Sequence, residues 1–219
     1  MRRCLEIAWK DLRAEFRTKQ MLNSMLLFAL LIVTIFSFAF GPYPERIEKL
    51  APGVLWVAFT FAGMLGLSRS FTSEKEQGCL DGLKLCPVDR SAIYIGKVVS
   101  NLILVSIMEV VTIPVFVVLF DYSIPNLGEI CLIIMPGTLG FVFVGTLLSA
   151  LTVNTRTREI LLPVILFPVL VPVIVSAVSA TTKVLSGRLN ILAELRILGT
   201  YDAIFFIVAL LIFEYAIED

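Results

Sequence analysis

The sequence predicts an all-α integral membrane protein, a bundle of six membrane-spanning helices. Three observations carry that prediction. Hydrophobic residues make up 58% of the 219 positions and the mean hydropathy is +0.93, whereas soluble domains average about 45–50% apolar residues. Charged residues account for only 16%, against about 25% in globular proteins. The apolar residues also gather into six runs close to the roughly 20 residues that cross a hydrocarbon core. A soluble domain and a disordered chain are excluded on these grounds. The 18 basic and 18 acidic residues cancel, so no basic surplus exists to bind nucleic acid. With no histidine in the chain, Ser-His-Asp or Cys-His catalysis and imidazole-ligated metal sites are excluded too.

Residues 1–20 read as an amphipathic helix lying in the membrane interface. Leu5, Trp9, Leu12 and Phe16 recur at helical spacing, while Arg3, Glu6, Lys10, Asp11 and Arg17 occupy other faces. The first span, 21–40, carries no charge. Its length and the lack of an Ala-x-Ala-like site after it argue against a signal peptide. The second span, 50–68, opens at Pro52-Gly53 and includes Trp56, an aromatic of the type that sits at membrane interfaces.

The segment 72–90 is the core of the longest connection. Its stretch from Glu74 to Pro87 fits a short amphipathic helix stopped by proline, with Cys79, Leu80, Leu83 and Cys86 on one face and Gly78 and Gly82 allowing close approach. An apolar stripe flanked by charges suits docking into a groove of a soluble partner, or lying on lipid. The third span, 98–120, holds Glu109. At 100° per residue, Asn101, Glu109 and Thr112 form one polar stripe, expected to line a pathway or to tie helices together. The fourth span, 130–151, carries Gly137, Gly140 and Gly145, with Gly145 and Ser149 in the small-xxx-small spacing of close helix crossings. The fifth, 160–180, contains Pro163, Pro168 and Pro172, which predict a bent or partly broken helix. The sixth, 197–216, includes Asp202, expected near one interface, and Glu214 near the other.

Lysine and arginine sort across these spans. Thirteen fall in the N-terminal segment and in the connections between spans two and three and between four and five, while five fall on the opposite side. The positive-inside rule therefore places both termini in the cytoplasm of a cell-membrane protein. The four cysteines give no sign of disulfides, three of them lying on the side where thiols stay reduced. No G-x-x-x-x-G-K-[ST] loop is present, so ATP would be bound by another chain, and no H-E-x-x-H, C-x-x-C or G-x-S-x-G motif occurs.

An interfacial N-terminal helix, six spans and an amphipathic segment after span two resemble the membrane subunits of ABC-2-type transporters. The pattern Glu76-x-Gly78…Leu83…Pro87…Gly96-Lys97 is similar to their coupling region. More narrowly, three stretches resemble the CcmB (haem exporter protein B) family of cytochrome c maturation systems. They are Leu50-Ala51-Pro52-Gly53-Val54-Leu55-Trp56-Val57-Ala58, Pro136-Gly137-Thr138-Leu139-Gly140-Phe141, and Leu161-Leu162-Pro163…Pro168…Pro172. That resemblance implies a homodimer paired with a separate ABC ATPase, a haem-handling membrane protein and a haem chaperone. It further implies that Glu74, Glu76, Gly78, Leu80, Leu83 and Pro87 receive the motion of the ATPase, and that hydrolysis releases the haem-loaded chaperone. Two departures from the family are a short acidic C-terminal tail and a weakly apolar sixth span. Without histidine, the chain offers haem no imidazole, so haem would be handled by the complex rather than ligated here. The alternatives are a generic ABC-2 exporter of a drug, lipid or polysaccharide, and a non-transporting assembly scaffold.

Overall fold

A computed structural model describes residues 2–40, 44–76, 90–121, 127–153, 155, 157–187 and 190–216. Among them lie seven helices and no strand: α1 (Arg2–Thr18), α2 (Gln20–Phe40), α3 (Pro44–Glu76), α4 (Arg90–Phe120), α5 (Leu127–Thr152), α6 (Arg158–Leu185) and α7 (Leu192–Ala216). Helices α2 to α7 are each long and apolar enough to cross a membrane. The protein is thus an all-α, multi-pass membrane protein.

The turn from α1 into α2 is made at a single residue, Lys19, in the left-handed region at φ 54°. The Glu15 carboxylate secures it by accepting the Leu22 backbone N–H at 2.9 Å. This satisfies one of the free donors at the start of α2 and sets a negative charge at the positive end of its dipole.

Helix α5 forms the centre of the bundle and packs against α3, α4, α6 and α7, while α2 packs on α3 and α4. The buried core includes Met25, Leu67, Tyr94, Met108, Ile133, Leu166, Leu198 and Phe213. Facing away from it are stripes of large apolar side chains at helical spacing, such as Ile160, Val164, Val171 and Val175 on α6 and Ile197, Ile204, Ile207 and Leu211 on α7. In water these would be a liability; against lipid tails they are the natural outer surface.

Several expectations from the sequence are corrected by the fold. The second apolar stretch runs over Leu50–Ser70, close to the expected 50–68, but it lies within a longer helix α3 that begins at Pro44 and carries Pro52 inside it. Trp56 does not face an interface. It is buried in the bundle, where its indole Nε1–H donates to Thr181 Oγ1 of α6 at 3.0 Å. The three prolines leave α6 unbroken from Arg158 to Leu185. Each removes one i→i−4 donor, which the many remaining bonds of a 28-residue helix outweigh. The sixth span starts at Leu192, five residues before the expected boundary, which moves Asp202 from an interface to the middle of the helix.

Candidate functional site

The polar stripe on α4 is directed into the bundle. Asn101, Glu109 and Thr112 are all buried. Asn101 Nδ2 donates to Thr146 Oγ1 at 3.0 Å, and Thr138 Oγ1 donates to Glu109 Oε1 at 2.6 Å. Positions 101 and 109 on α4 and 138 and 146 on α5 are both eight apart. The two bonds are therefore rungs of one ladder between antiparallel helices, about 12 Å apart at the helical rise. Thr112 does not join it; its hydroxyl donates to the Met108 carbonyl within α4. The threonines of α5 escape sequence reading because a threonine in an apolar run looks neutral until its cross-helix partner is known.

The space beside Glu109 is small. A cavity of about 10 Å³ is lined by residues including Trp56, Thr60, Glu109, Gly137, Thr138 and Phe141. That is at the lower limit for a single water molecule. Glycine makes this closeness possible. A Cβ on Gly137 would lie 2.2 Å from Cη2 of Trp56. Gly140 faces Asp202 and Tyr201 of α7, and Gly145 faces Leu67 of α3. The glycines of α5 thus meet two helices, α3 through Trp56 and Leu67 and α7 through Tyr201 and Asp202. Of the prolines on α6, Pro163 lines a larger groove, taken up below, at the end of the bundle where α6 begins. Asp202 is a further acid within the apolar helices, and its buried Oδ1 has no hydrogen-bond partner among the described residues.

A second polar cluster joins three helices where α1 meets the bundle. Lys97 of α4, only 2% exposed, pairs with Asp11 Oδ2 of α1 at 2.8 Å. The same ammonium donates to the Ser70 carbonyl of α3 at 3.3 Å and lies 5.2 Å from the centre of the Phe71 ring. A buried ammonium needs such partners, since an unpaired one is strongly unfavourable. Next to it, a Cβ on Gly96 would come within 3.0 Å of the Cys4 carbonyl oxygen, so glycine permits the contact of α1 with α4. The sequence offers Lys97 as a basic residue beside a span and as the end of the coupling-region pattern, but not its ion pair, because the partner Asp11 lies far upstream.

The expected apolar face of α1 divides in two. Ala8 and Leu12 are buried against the bundle, whereas Leu5, Trp9 and Phe16 are exposed. The exposed ridge runs beside Arg13 and Arg17 around the helix, the arrangement of a helix whose free side rests in a headgroup layer.

Of the segment expected to couple to an ATPase, Gly78, Leu80, Leu83 and Pro87 lie outside the described residues, as do Cys79 and Cys86. The backbone of Glu74 and Glu76 forms the last turn of α3. Cys4 and Cys131 are free thiols.

Comparison with known proteins agrees with this architecture. The family model described as CcmB protein matches residues 2–219. Heme exporter protein B of Rhodobacter capsulatus is 31% identical over 166 residues, 76% of either chain. The Haemophilus influenzae protein of the same name is 28% identical over 80% of this chain and 79% of its own length. That of Escherichia coli strain K12 is 28% identical over 86% of both chains. With its six apolar helices and a family match running from α1 to the final residue, the chain belongs to the CcmB protein family.

Proposed function

We propose that this protein is the permease subunit of an ABC transporter complex serving cytochrome c biogenesis. In this reading a partner ATPase hydrolyses ATP, and the present chain turns that work into haem delivery or release of a haem-loaded chaperone. Family membership and relatives named heme exporter protein B support the assignment. The observation that carries the mechanism is the joint held by Lys97. Helix α3 continues to Glu76, beyond its apolar stretch ending at Ser70, and α4 starts at Arg90. The segment 77–89 therefore connects two helices already bound to each other through Lys97 and Ser70. An ATPase gripping it would move both.

The proposed assembly is a homodimer of this chain with ATPase subunits, a haem-handling membrane protein and a haem chaperone. Its place is the cell membrane, with both termini cytoplasmic, as the thirteen-to-five sorting of basic residues indicates. A cavity of about 10 Å³ beside Glu109 has no room for a porphyrin. The packing thus favours mechanical work on the assembled complex over passage of haem through the centre of one chain. The test is co-purification. Gly78→Pro, which would break a helix there, and Leu83→Asp, which would charge its apolar face, should each abolish recovery of the ATPase, with the chain's own membrane abundance unchanged. Recovery at the wild-type level with both variants would refute the coupling role of the segment.

A further inference from the structure

We propose that the groove between α2, α3, α5 and α6 is a binding site for one anionic phospholipid, with Arg69 holding the headgroup phosphate. The groove has a volume of about 690 Å³, within the range of sites for small organic ligands. It lies where α2 and α6 begin and α3 and α5 end, the end of the bundle where most basic residues of the sequence gather.

Its lining has two zones. Phe28, Phe61, Leu65, Leu162 and Pro163 make an apolar floor, and Phe61 and Leu65 are exposed, which opens the groove sideways to lipid. Gln20 and Arg69 stand at the polar end, and both also border the neighbouring cavity that contains Lys97 and Asp11. Arg69 is the one charged residue among the described residues of the lining, and no hydrogen bond or ion pair holds it among the described residues. By contrast, the hydroxyls of Ser68, Thr72, Ser149 and Thr152 already donate to backbone carbonyls. The donors left for a ligand are the guanidinium and the Gln20 amide. Arg69 also sits one residue before the end of the apolar stretch of α3, the depth at which phosphates lie in a bilayer.

One cation above an apolar trough matches a single phosphate carrying acyl chains. Guanidinium is the side chain best shaped for two parallel bonds to phosphate oxygens. A porphyrin brings two carboxylates, of which the single guanidinium of the lining would pair only one.

The experiment is native mass spectrometry of the full chain released from nanodiscs of equal phosphatidylglycerol and phosphatidylethanolamine. The wild type should retain one phosphatidylglycerol, favoured about fivefold over phosphatidylethanolamine, the effect of one basic group on an anionic headgroup. Arg69→Gln should abolish the preference and Arg69→Lys should keep most of it. Arg196→Gln, at an exposed arginine of α7 away from the groove, should leave it unchanged. Equal retention of both lipids by the wild type, or an unaltered preference in Arg69→Gln, would overturn the proposal. So would displacement of the lipid by inorganic phosphate or protoporphyrin IX, or a lipid-free dimer in which the groove is closed.

Discussion

The contact between Gly137 and Trp56 offers a sharp test of how the bundle is packed. Replacing Gly137 with alanine puts a Cβ 2.2 Å from Cη2 and 2.8 Å from Cζ3 of the indole, far inside contact distance. The ring is fixed from both sides, since Trp56 is buried and its Nε1–H is bonded to Thr181. Overpacking of this kind costs about 1–3 kcal/mol, and a clash with a rigid ring belongs at the upper end. Alanine also raises helix propensity by up to about 1 kcal/mol over glycine, which leaves a net loss of about 2 kcal/mol. Gly199 of α7 supplies the control, because a Cβ there meets nothing within 4 Å. Gly199→Ala should be neutral or stabilising, so the two substitutions should differ by about 3 kcal/mol. At about 2–4 °C per kcal/mol for a chain of this length, that separates their melting temperatures by about 6–12 °C. The assay is thermal unfolding in detergent, read by fluorescence-detected size exclusion. Trp56→Phe removes the carbons that the new methyl would strike, so Gly137→Ala should do less harm in that background by about 1–2 kcal/mol. Equal melting of Gly137→Ala and Gly199→Ala, or additive losses with Trp56→Phe, would refute the contact.

Four further outcomes are expected. Asp11→Asn strips a buried ammonium of its counter-charge and should cost about 3–5 kcal/mol; Asp11→Leu combined with Lys97→Met should recover much of it, as melting temperatures would show. Thr138→Val leaves Glu109 without its donor and should destabilise by about 1–3 kcal/mol, while Glu109→Gln keeps the acceptor and should lose less. If Glu109 serves the activity of the complex, Glu109→Gln should lower cytochrome c yield at constant membrane abundance; equal loss of both would mark it as a helix tie. A reporter fused after Asp219 should read as cytoplasmic, and a signal from the opposite side would overturn the assigned orientation.

The helices that cross the membrane are legible in the sequence because lipid demands long apolar runs, a signal local to each run. Their contacts are less so. Asn101 and Glu109 announce themselves as polar residues in an apolar span, and helical periodicity puts them on one face. Their partners Thr146 and Thr138 do not, since a hydroxyl can always bond to its own helix, as Thr112 does. Trp56 misleads for a related reason: indole suits an interface, but also a core that offers its N–H an acceptor, and only the position of Thr181 decides. Asp202 reads as peripheral in the sequence because it borders the uncharged run 203–213, around which the span is built. Once α7 begins at Leu192, the same residue lies in mid-helix. Lys97 and Asp11 show the limit most plainly, as no local pattern links two charges on different helices so far apart in the chain.

The Lys97 joint has a mechanical consequence. Since one ammonium grips Asp11 of α1 and the Ser70 carbonyl of α3 from its seat on α4, these three helices cannot be levered apart at that end without exposing a buried charge. A torque applied through the chain between Glu76 and Arg90 would turn them as a single crank. Helix α1 is its outer arm, and the arm carries Leu5, Trp9 and Phe16 on its free side. Each stroke would then sweep these side chains through the leaflet, so that bilayer stiffness becomes part of the load on the motor.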